Sequence, residues 1–236
     1  MEKLYIIIPA YNEQDNLKAL VNDWYPIIEQ HSADNSSRLV IINDGSKDNT
    51  YMVLKDLAKS RPMMEVLTKE NGGHGDTLLL GYRYAIENGA DYIFQTDSDG
   101  QTSPSEFETF WNNRQEYDAV FGDRTKREDG KSRAFVERVL CIILKMVFGV
   151  KIPDSNAPFR LMRSSYVDKY IRMLPEHYNL PNVMLTTLGT YYNEKILFLP
   201  ITFKNRQGGK NSINIRKIVS IGMKALKDFR DIRKKL

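Results

Sequence analysis

Six consecutive residues near the start of the chain, Leu4–Pro9, carry no charged side chain and no polar/apolar alternation. A run of this kind settles in a strand that is covered on both faces. The pattern recurs at Leu39–Ile42 and Tyr92–Thr96, with a shorter strand at Glu65–Leu67. Between these runs the apolar spacing changes from continuous to helical. Glu13–Glu29 places Leu17, Leu20, Val21, Trp24 and Ile28 on one side, and Asn49–Lys59 and Asp76–Glu87 follow suit. Apolar strands separated by helices predict an α/β fold, a mostly parallel central sheet flanked by helices in the doubly wound, nucleotide-binding style.

The second half is less regular. Ser105–Glu116 reads as a helix, Ala119–Phe121 as a short strand and the polar stretch Thr125–Ser132 as a mobile loop. Phe135–Phe148 is a strongly apolar helix, and Asp154–Arg163 is a turn leading into a strand. Ser164–Leu188 is helical with a break at Pro175–Pro181, Lys195–Phe203 is a strand, and Asn205–Asn211 is a flexible loop before an amphipathic helix at Ile213–Leu236. With 236 residues, no Pro- or Ser-rich linker and no internal repeat, one domain over 1–236 is the economical reading. A single cysteine, Cys141, excludes an internal disulfide framework and fits a reducing, cytoplasmic setting. No basic, apolar and cleavable leader precedes the first strand, and the longest apolar run, Val139–Val150, is too short to span a bilayer. The net charge of +4 argues little for nucleic acid; the Lys and Arg residues of the last helix surround an apolar face rather than interleave with aromatics on a sheet. That helix reads either as a solvated helix docked on the domain or as a basic face on an anionic membrane surface.

The chemistry gathers where the strands end. Tyr92–Thr96 runs straight into Asp97 and Asp99, then Gly100 and Gln101. Carboxylates at the carboxyl end of a buried strand are costly to desolvate without a positive partner. Such oxygens suit Mg2+ or Mn2+, which is commonly shared with a phosphate. Three more loops would converge on the same edge. Pro9–Glu13 follows the first strand, where Tyr11 and Glu13 could meet a base and ribose, although the same residues serve a plain turn with Asn12 capping the helix. Asn43–Asn49 brings Asp44, a residue for ring edges or ribose hydroxyls and equally an ordinary turn former. NGGHG, Asn71–Gly75, permits close backbone approach at a helix start but lacks the Lys-Ser/Thr of a phosphate-binding P-loop. His74 there reads as a loop or nucleotide contact, since no His or Cys stands at metal-ligand spacing.

Read together, IIIPAYNEQDNL, VIINDGSKDNT and NGGHGDTLLLGYRYAIENGADYIFQTDSDGQ closely resemble family-2 glycosyltransferases of the GT-A fold. The resemblance is strongest to the polyprenol-phosphate sugar transferases, the dolichol-phosphate mannose synthase type. It extends through GDR at Gly122–Arg124, DSNAPFR at Asp154–Arg160 and RQGGKNS at Arg206–Ser212. It implies a nucleotide-sugar half over 1–101, an acceptor half over 102–212 and a basic amphipathic helix over 213–236. It implies that Pro9, Tyr11, Glu13, Asp44 and Gly75 line the nucleotide pocket and that Asp97 touches the ribose and pyrophosphate side. Asp99 and Gln101 would coordinate the metal, Mg2+ or Mn2+, and Arg206 would close on the donor diphosphate. Arg124, with Arg133 as a second, would sit near the acceptor phosphate, and Asp154, Arg160 and Ser212 match the acceptor side. The sequence departs from the family at Ala157 and Pro158, where Ser-Gly is usual, and shows no counterpart of the C-terminal transmembrane helices of many members.

Two acceptors stay open. A polyprenyl (dolichyl or undecaprenyl) phosphate is already ionised near neutral pH and needs no general base; a saccharide hydroxyl, as in capsule or exopolysaccharide assembly, needs a carboxylate within reach, for which Asp154 is the candidate. Either way, direct attack on the anomeric carbon predicts inversion. A third reading, a non-catalytic nucleotide-sugar-binding module, leaves Asp97, Asp99, Gln101 and Arg206 together without a purpose. The apolar positions Phe135, Val139, Ile142, Ile143 and Met146 serve either the core or a lipid-facing surface.

Overall fold

The computed structural model describes residues 2–32, 34–128, 130–205 and 225–236. Seven strands form one sheet: β1 (Leu4–Ala10), β2 (Arg38–Asp44), β3 (Met64–Lys69), β4 (Tyr92–Thr96), β5 (Ala119–Arg127), β6 (Phe159–Arg163) and β7 (Ile196–Phe203). Their order is β3-β2-β1-β4-β6-β5-β7. β1 pairs in parallel with β2 and β4, β2 with β3, and β5 with β7, while β6 runs antiparallel to both β4 and β5. The chain therefore builds outward from β1 through β2 to β3, then crosses back to lay β4 on the other side of β1. That reversal is where an open α/β sheet leaves a crevice at the carboxyl ends of its strands.

Strands β1, β2 and β4 are buried on both faces, as continuous apolar runs require. Leu4, Ile6 and Ile8 of β1 join one core layer with Leu17, Val21, Trp24 and Ile28 of α1 (Leu17–Gln30) and Leu54 of α2 (Thr50–Ala58). Tyr5 and Ile7 join the other, with Leu78, Leu79 and Tyr82 of α3 (His74–Glu87). α4 (Phe107–Trp111) belongs to the first layer; α5 (Lys131–Phe148), α6 (Ser164–Ile171), α7 (Pro181–Tyr191) and a helix α8 at 225–233 supply the second.

Three elements differ from the sequence expectation. Thr125–Ser132 is not a loop through its length. After an irregularity between Asp123 and Lys126, β5 continues to Arg127 alongside Thr202 and Phe203 of β7, and α5 already starts at Lys131. The hydrogen-bond partner of this polar stretch lies some 75 residues further on, so no local pattern announces it. The Ser105–Glu116 helix contracts to a 3-10 turn at Pro104–Glu106 and the five residues of α4, and Asn12 caps nothing: α1 begins at Leu17, and Asn12 adopts the left-handed φ of 54°. Of the predicted Ile213–Leu236 helix, 225–233 is helical; the preceding part lies outside the described residues.

Candidate active site

A cavity of about 400 Å³ opens at the carboxyl edge between β1 and β4, lined by Pro9, Tyr11, Glu13, Asp44, Asp97 and Asp99 among others. The loops after β1 and β2 are stitched to each other. Asn12 N donates to Ser46 Oγ (3.0 Å), Lys47 N to Asn12 Oδ1 (2.8 Å) and Asn49 N to Gln14 Oε1 (2.9 Å). Glu13 is buried, its backbone N–H donating to Thr50 Oγ1 (2.9 Å) and its Oε2 accepting from Asn16 Nδ2 (2.7 Å), whereas Tyr11 stands at the rim.

Asp44 sits on the cavity wall yet is largely engaged by the protein. Lys69 Nζ donates to Oδ1 (2.8 Å), Gly72 N to Oδ1 (3.0 Å) and Gly73 N to Oδ2 (3.0 Å). Desolvation pushes its carboxyl up, but Lys69 and the Gly72 amide outweigh it and hold the pKa below the ordinary carboxylate value. Two amides of the glycine loop are thus spent on Asp44. Gly75 is explained by a different neighbour from the one expected: a Cβ there would lie 2.3 Å from Tyr178 O and 2.5 Å from Asn179 C, so the glycine admits the 178–179 backbone. Gly75 does not line the cavity; Gly73, His74 and Thr77 at the start of α3 do.

The DSDGQ turn is held from both ends. Thr96 and Thr102 share a hydrogen bond between hydroxyls (2.7 Å), Gly100 takes φ 71°, and Gln101 N donates to Asp99 Oδ1 (3.2 Å). Asp97 Oδ1 accepts from Gln95 Nε2 (3.0 Å) and lies 3.8 Å from His74 Nε2. Gln101 is buried and turned to the end of β7, with Nε2 donating to Lys204 O (2.8 Å) and its backbone carbonyl accepting from Lys204 N (2.8 Å). The cavity wall carries both aspartates and not Gln101. A smaller cleft of about 80 Å³, including Asp23 and Lys204, shares Asp97 and Ser98 with it.

In the segment expected to form the acceptor side, Arg124 meets Asp154 through two prongs, Nε to Oδ2 (2.7 Å) and Nη2 to Oδ1 (2.8 Å), and reaches Glu137 Oε2 of α5 (3.3 Å). Glu137 Oε1 accepts from Ser155 N (2.8 Å) and Ser155 Oγ (2.7 Å). Burial raises the Asp154 carboxyl while its hydrogen bonds and ion pair with Arg124 lower it further, leaving it below its ordinary value. A buried, ion-paired carboxylate of this kind is a poor general base. Nearby Asp123 is shifted up, by burial first and then by the charge of Asp154. Arg160 is not on an acceptor surface: it is fully buried, donating to Ser155 O, Ala157 O, Asn182 O and Thr186 Oγ1 with its guanidinium over the Phe121 ring. Arg133 is half-buried in the first turn of α5. Arg206 and Ser212 lie outside the described residues.

Lys69, Gln95 and Lys204 escaped the sequence reading as partners of the site. Their only signal is position, at or near a strand end or helix start on the edge that gathers the motifs.

The family profile described as glycosyl transferase family 2 matches residues 5–171, which contain every one of the cavity-lining residues named above. The chain belongs to glycosyl transferase family 2. As a glycosyltransferase of this family it resembles the UDP-N-acetylglucosamine–dolichyl-phosphate N-acetylglucosaminyltransferase of Methanococcus voltae, at 30% identity over 184 residues, 69% of this chain and 70% of that protein. The undecaprenyl-phosphate 4-deoxy-4-formamido-L-arabinose transferase of Sodalis glossinidius is 24% identical over 94% of this chain, which spans 66% of the relative's length. Among solved structures, glucosyl-3-phosphoglycerate synthase from Mycobacterium tuberculosis with Mn2+, uridine diphosphate and glucosyl-3-phosphoglycerate superposes with a TM-score of 0.69 at 14% identity, covering 99% of this chain and 80% of that one. S. aureus TarS with UDP-GlcNAc gives 0.63 at 15%, covering 95% and 65%. These two establish the GT-A fold for this glycosyl transferase family 2 chain.

The donor set of the site fits a hard divalent cation in its chemistry. Asp97 and Asp99 offer carboxylate oxygens to the cavity, and among the described residues no group of three or more His, Cys, Asp or Glu side chains could hold an ion alone. An ion here would complete its shell with diphosphate and water oxygens.

Proposed function

We propose that this glycosyltransferase moves a sugar from a UDP- or GDP-linked donor to polyprenyl phosphate in a single inverting displacement. The donor half of this reading is supported by a cavity at the sheet's point of reversal with two carboxylates on its wall. The acceptor half is supported by the names of the relatives and, above all, by α5. Phe135, Ile142 and Met146 are 67%, 56% and 72% exposed, with Val136 and Val139 beside them. A contiguous apolar stripe of this kind marks a partner or lipid surface. It starts beside Glu137, which Arg124 grips, and one turn from Arg133. We place the acceptor phosphate near these two arginines and the isoprenoid along the stripe.

Asp97 and Asp99 would hold Mg2+ or Mn2+, which when bound supplies Lewis-acid neutralisation of the charge on the departing diphosphate. The protein's own work is positional. Tyr11, Glu13 and Asp44 frame the nucleoside, and the stitched loops after β1 and β2 keep that frame rigid. Arg124 fixes the acceptor wall through Asp154, with Arg133 at the entrance of the stripe. The phosphate nucleophile arrives ionised, which agrees with an acceptor wall whose best-placed carboxylate, Asp154, is held low.

The test is a panel of UDP- and GDP-sugars incubated with Mg2+ or Mn2+, with undecaprenyl phosphate, dolichyl phosphate or a saccharide acceptor. Glycolipid formed only with the lipid phosphates supports the reading. Transfer to saccharide hydroxyls without any to lipid phosphate overturns it.

A further inference from the structure

Behind Asp97 lies a line of three buried polar side chains that the donor cavity does not touch. Tyr82 of α3, Asn182 of α7 and Gln95 of β4 are each 2% exposed or less. Tyr82 Oη donates to Asn182 Oδ1 (2.6 Å), Asn182 Nδ2 to Gln95 Oε1 (2.9 Å) and Gln95 Nε2 to Asp97 Oδ1 (3.0 Å).

The direction of this line follows from its last member. A carboxylate only accepts, so Gln95 must offer Asp97 its amide nitrogen and face Asn182 with its carbonyl. Asn182 then offers its own nitrogen and turns its carbonyl to Tyr82, whose hydroxyl can only donate. The middle of the line sits on an anchored backbone: Arg160 Nη1 and Thr186 Oγ1 both donate to the Asn182 backbone carbonyl, at 2.9 and 3.0 Å.

The fold does not require these groups. Gln95 follows Tyr92, Ile93 and Phe94 in a fully buried strand where an apolar side chain of similar volume would pack. Replacing a buried polar network by apolar side chains is often neutral or stabilising, whereas each amide kept there must find partners. The line has one exit, the carboxylate on the cavity wall. Its last hydrogen bond falls on Oδ1, the oxygen that also faces His74, so Oδ2 is the oxygen left for a ligand.

We infer that Gln95 and Asn182, backed by Tyr82, are positioning residues that lock the Asp97 carboxylate in the orientation the donor diphosphate and its cation meet. The inference rests on the nucleotide-sugar reading above. Outer-shell hydrogen bonds of this kind typically govern about 10- to 100-fold in metal affinity or activity.

Calorimetric titration with UDP and with GDP, each with and without Mn2+, tests this apart from turnover. The proteins are the wild type, Gln95→Met, Tyr82→Phe and the triple variant Tyr82→Phe/Gln95→Leu/Asn182→Leu, with melting temperatures measured alongside. The triple variant should melt near the wild type and lose about 10-fold or more of the Mn2+-supported affinity. Gln95→Met should lose as much affinity at a lowered melting temperature, because Asn182 Nδ2 then lacks its acceptor, and Tyr82→Phe, which deletes one oxygen at the far end, should lose about fivefold or less. A purely structural role predicts the reverse, a shifted melting temperature with affinity intact. Wild-type affinity in folded Gln95→Met overturns the inference alone, while a wild type that binds neither nucleotide overturns the donor reading beneath it.

Discussion

Asp154 shows how one partner fixes what a carboxylate can do. It is nearly out of water, and burial alone would raise its pKa; the two-pronged contact with Arg124 reverses that. A group whose pKa is depressed by folding contributes stability that is present above its unfolded pKa, about 3.9, and lost as pH falls through the folded value. Asp154→Asn should therefore lower stability at pH 7 by roughly 3 kcal/mol, because the buried Arg124 exchanges its two-pronged carboxylate partner for a neutral amide and keeps the longer contact with Glu137. Thermal melts from pH 7 down to pH 3 should show the gap to the wild type closing only at the acid end. A constant gap would place the loss in packing instead. Gly75 gives the complementary case. Its close approach to Tyr178 O leaves no room for a methyl group, so Gly75→Ala should cost about 1–3 kcal/mol in denaturant titrations, while the same change at Gly72, whose crowding atoms are the ends of Lys69 and Asp76, should cost less. The sequence marks both glycines as places of close approach but does not name the neighbour. The atom that decides Gly75 comes from a loop a hundred residues away.

Among the elements, α5 separates what local pattern can and cannot say. Its apolar positions predict a helix correctly, but spacing does not reveal which face meets the sheet. Leu144 and Phe148 are buried, whereas Phe135, Ile142 and Met146 point outward. Strands β1, β2 and β4 were legible because a strand covered on both faces is apolar throughout and needs no partner to betray it. The outer half of β5 was not, since its polar residues acquire strand geometry only from pairing with β7. Gln101 shows the same limit: its place in DSDGQ suggests a ligand, and the pattern does not announce that its amide nitrogen fastens the turn to Lys204. The outward face of α5 carries its own prediction. Phe135→Ser/Ile142→Ser/Met146→Ser removes apolar area without touching the core, so the melting temperature should hold. Partition onto vesicles containing undecaprenyl phosphate should fall about tenfold or more, at roughly 25 cal/mol per Å² of apolar area withdrawn from contact. Nucleotide binding should be unchanged. Equal partition of variant and wild type would remove the lipid role from this helix.

Over the whole molecule, the cavity at the carboxyl edge joins segments that the chain order keeps apart. Its walls come from the loops after β1, β2 and β4 and from the start of α3, four pieces of one sheet edge brought together by the reversal at β1. Their convergence was legible from the doubly wound pattern alone; the buried line from α7 through β4 to Asp97 was not, because its links span up to 100 residues. Such a cavity ties ligand binding to global stability, since the folded edge binds and the unfolded chain does not. With nucleoside diphosphate and Mn2+ at about 100 times the dissociation constant, the linkage amounts to about 2.7 kcal/mol. For a domain of this size that raises the melting temperature by roughly 5–10 °C. The nucleotide without the cation should give a smaller shift, because the carboxylates of Asp97 and Asp99 then face the diphosphate with nothing between like charges. Asp99→Ala removes one of those carboxylates and an oxygen ligand together. Its nucleotide-only shift should match or exceed that of the wild type, and the further gain on adding Mn2+ should largely vanish. If Mn2+ still adds its full increment to Asp99→Ala, the cation binds elsewhere, and the two aspartates at the end of β4 do not form its site.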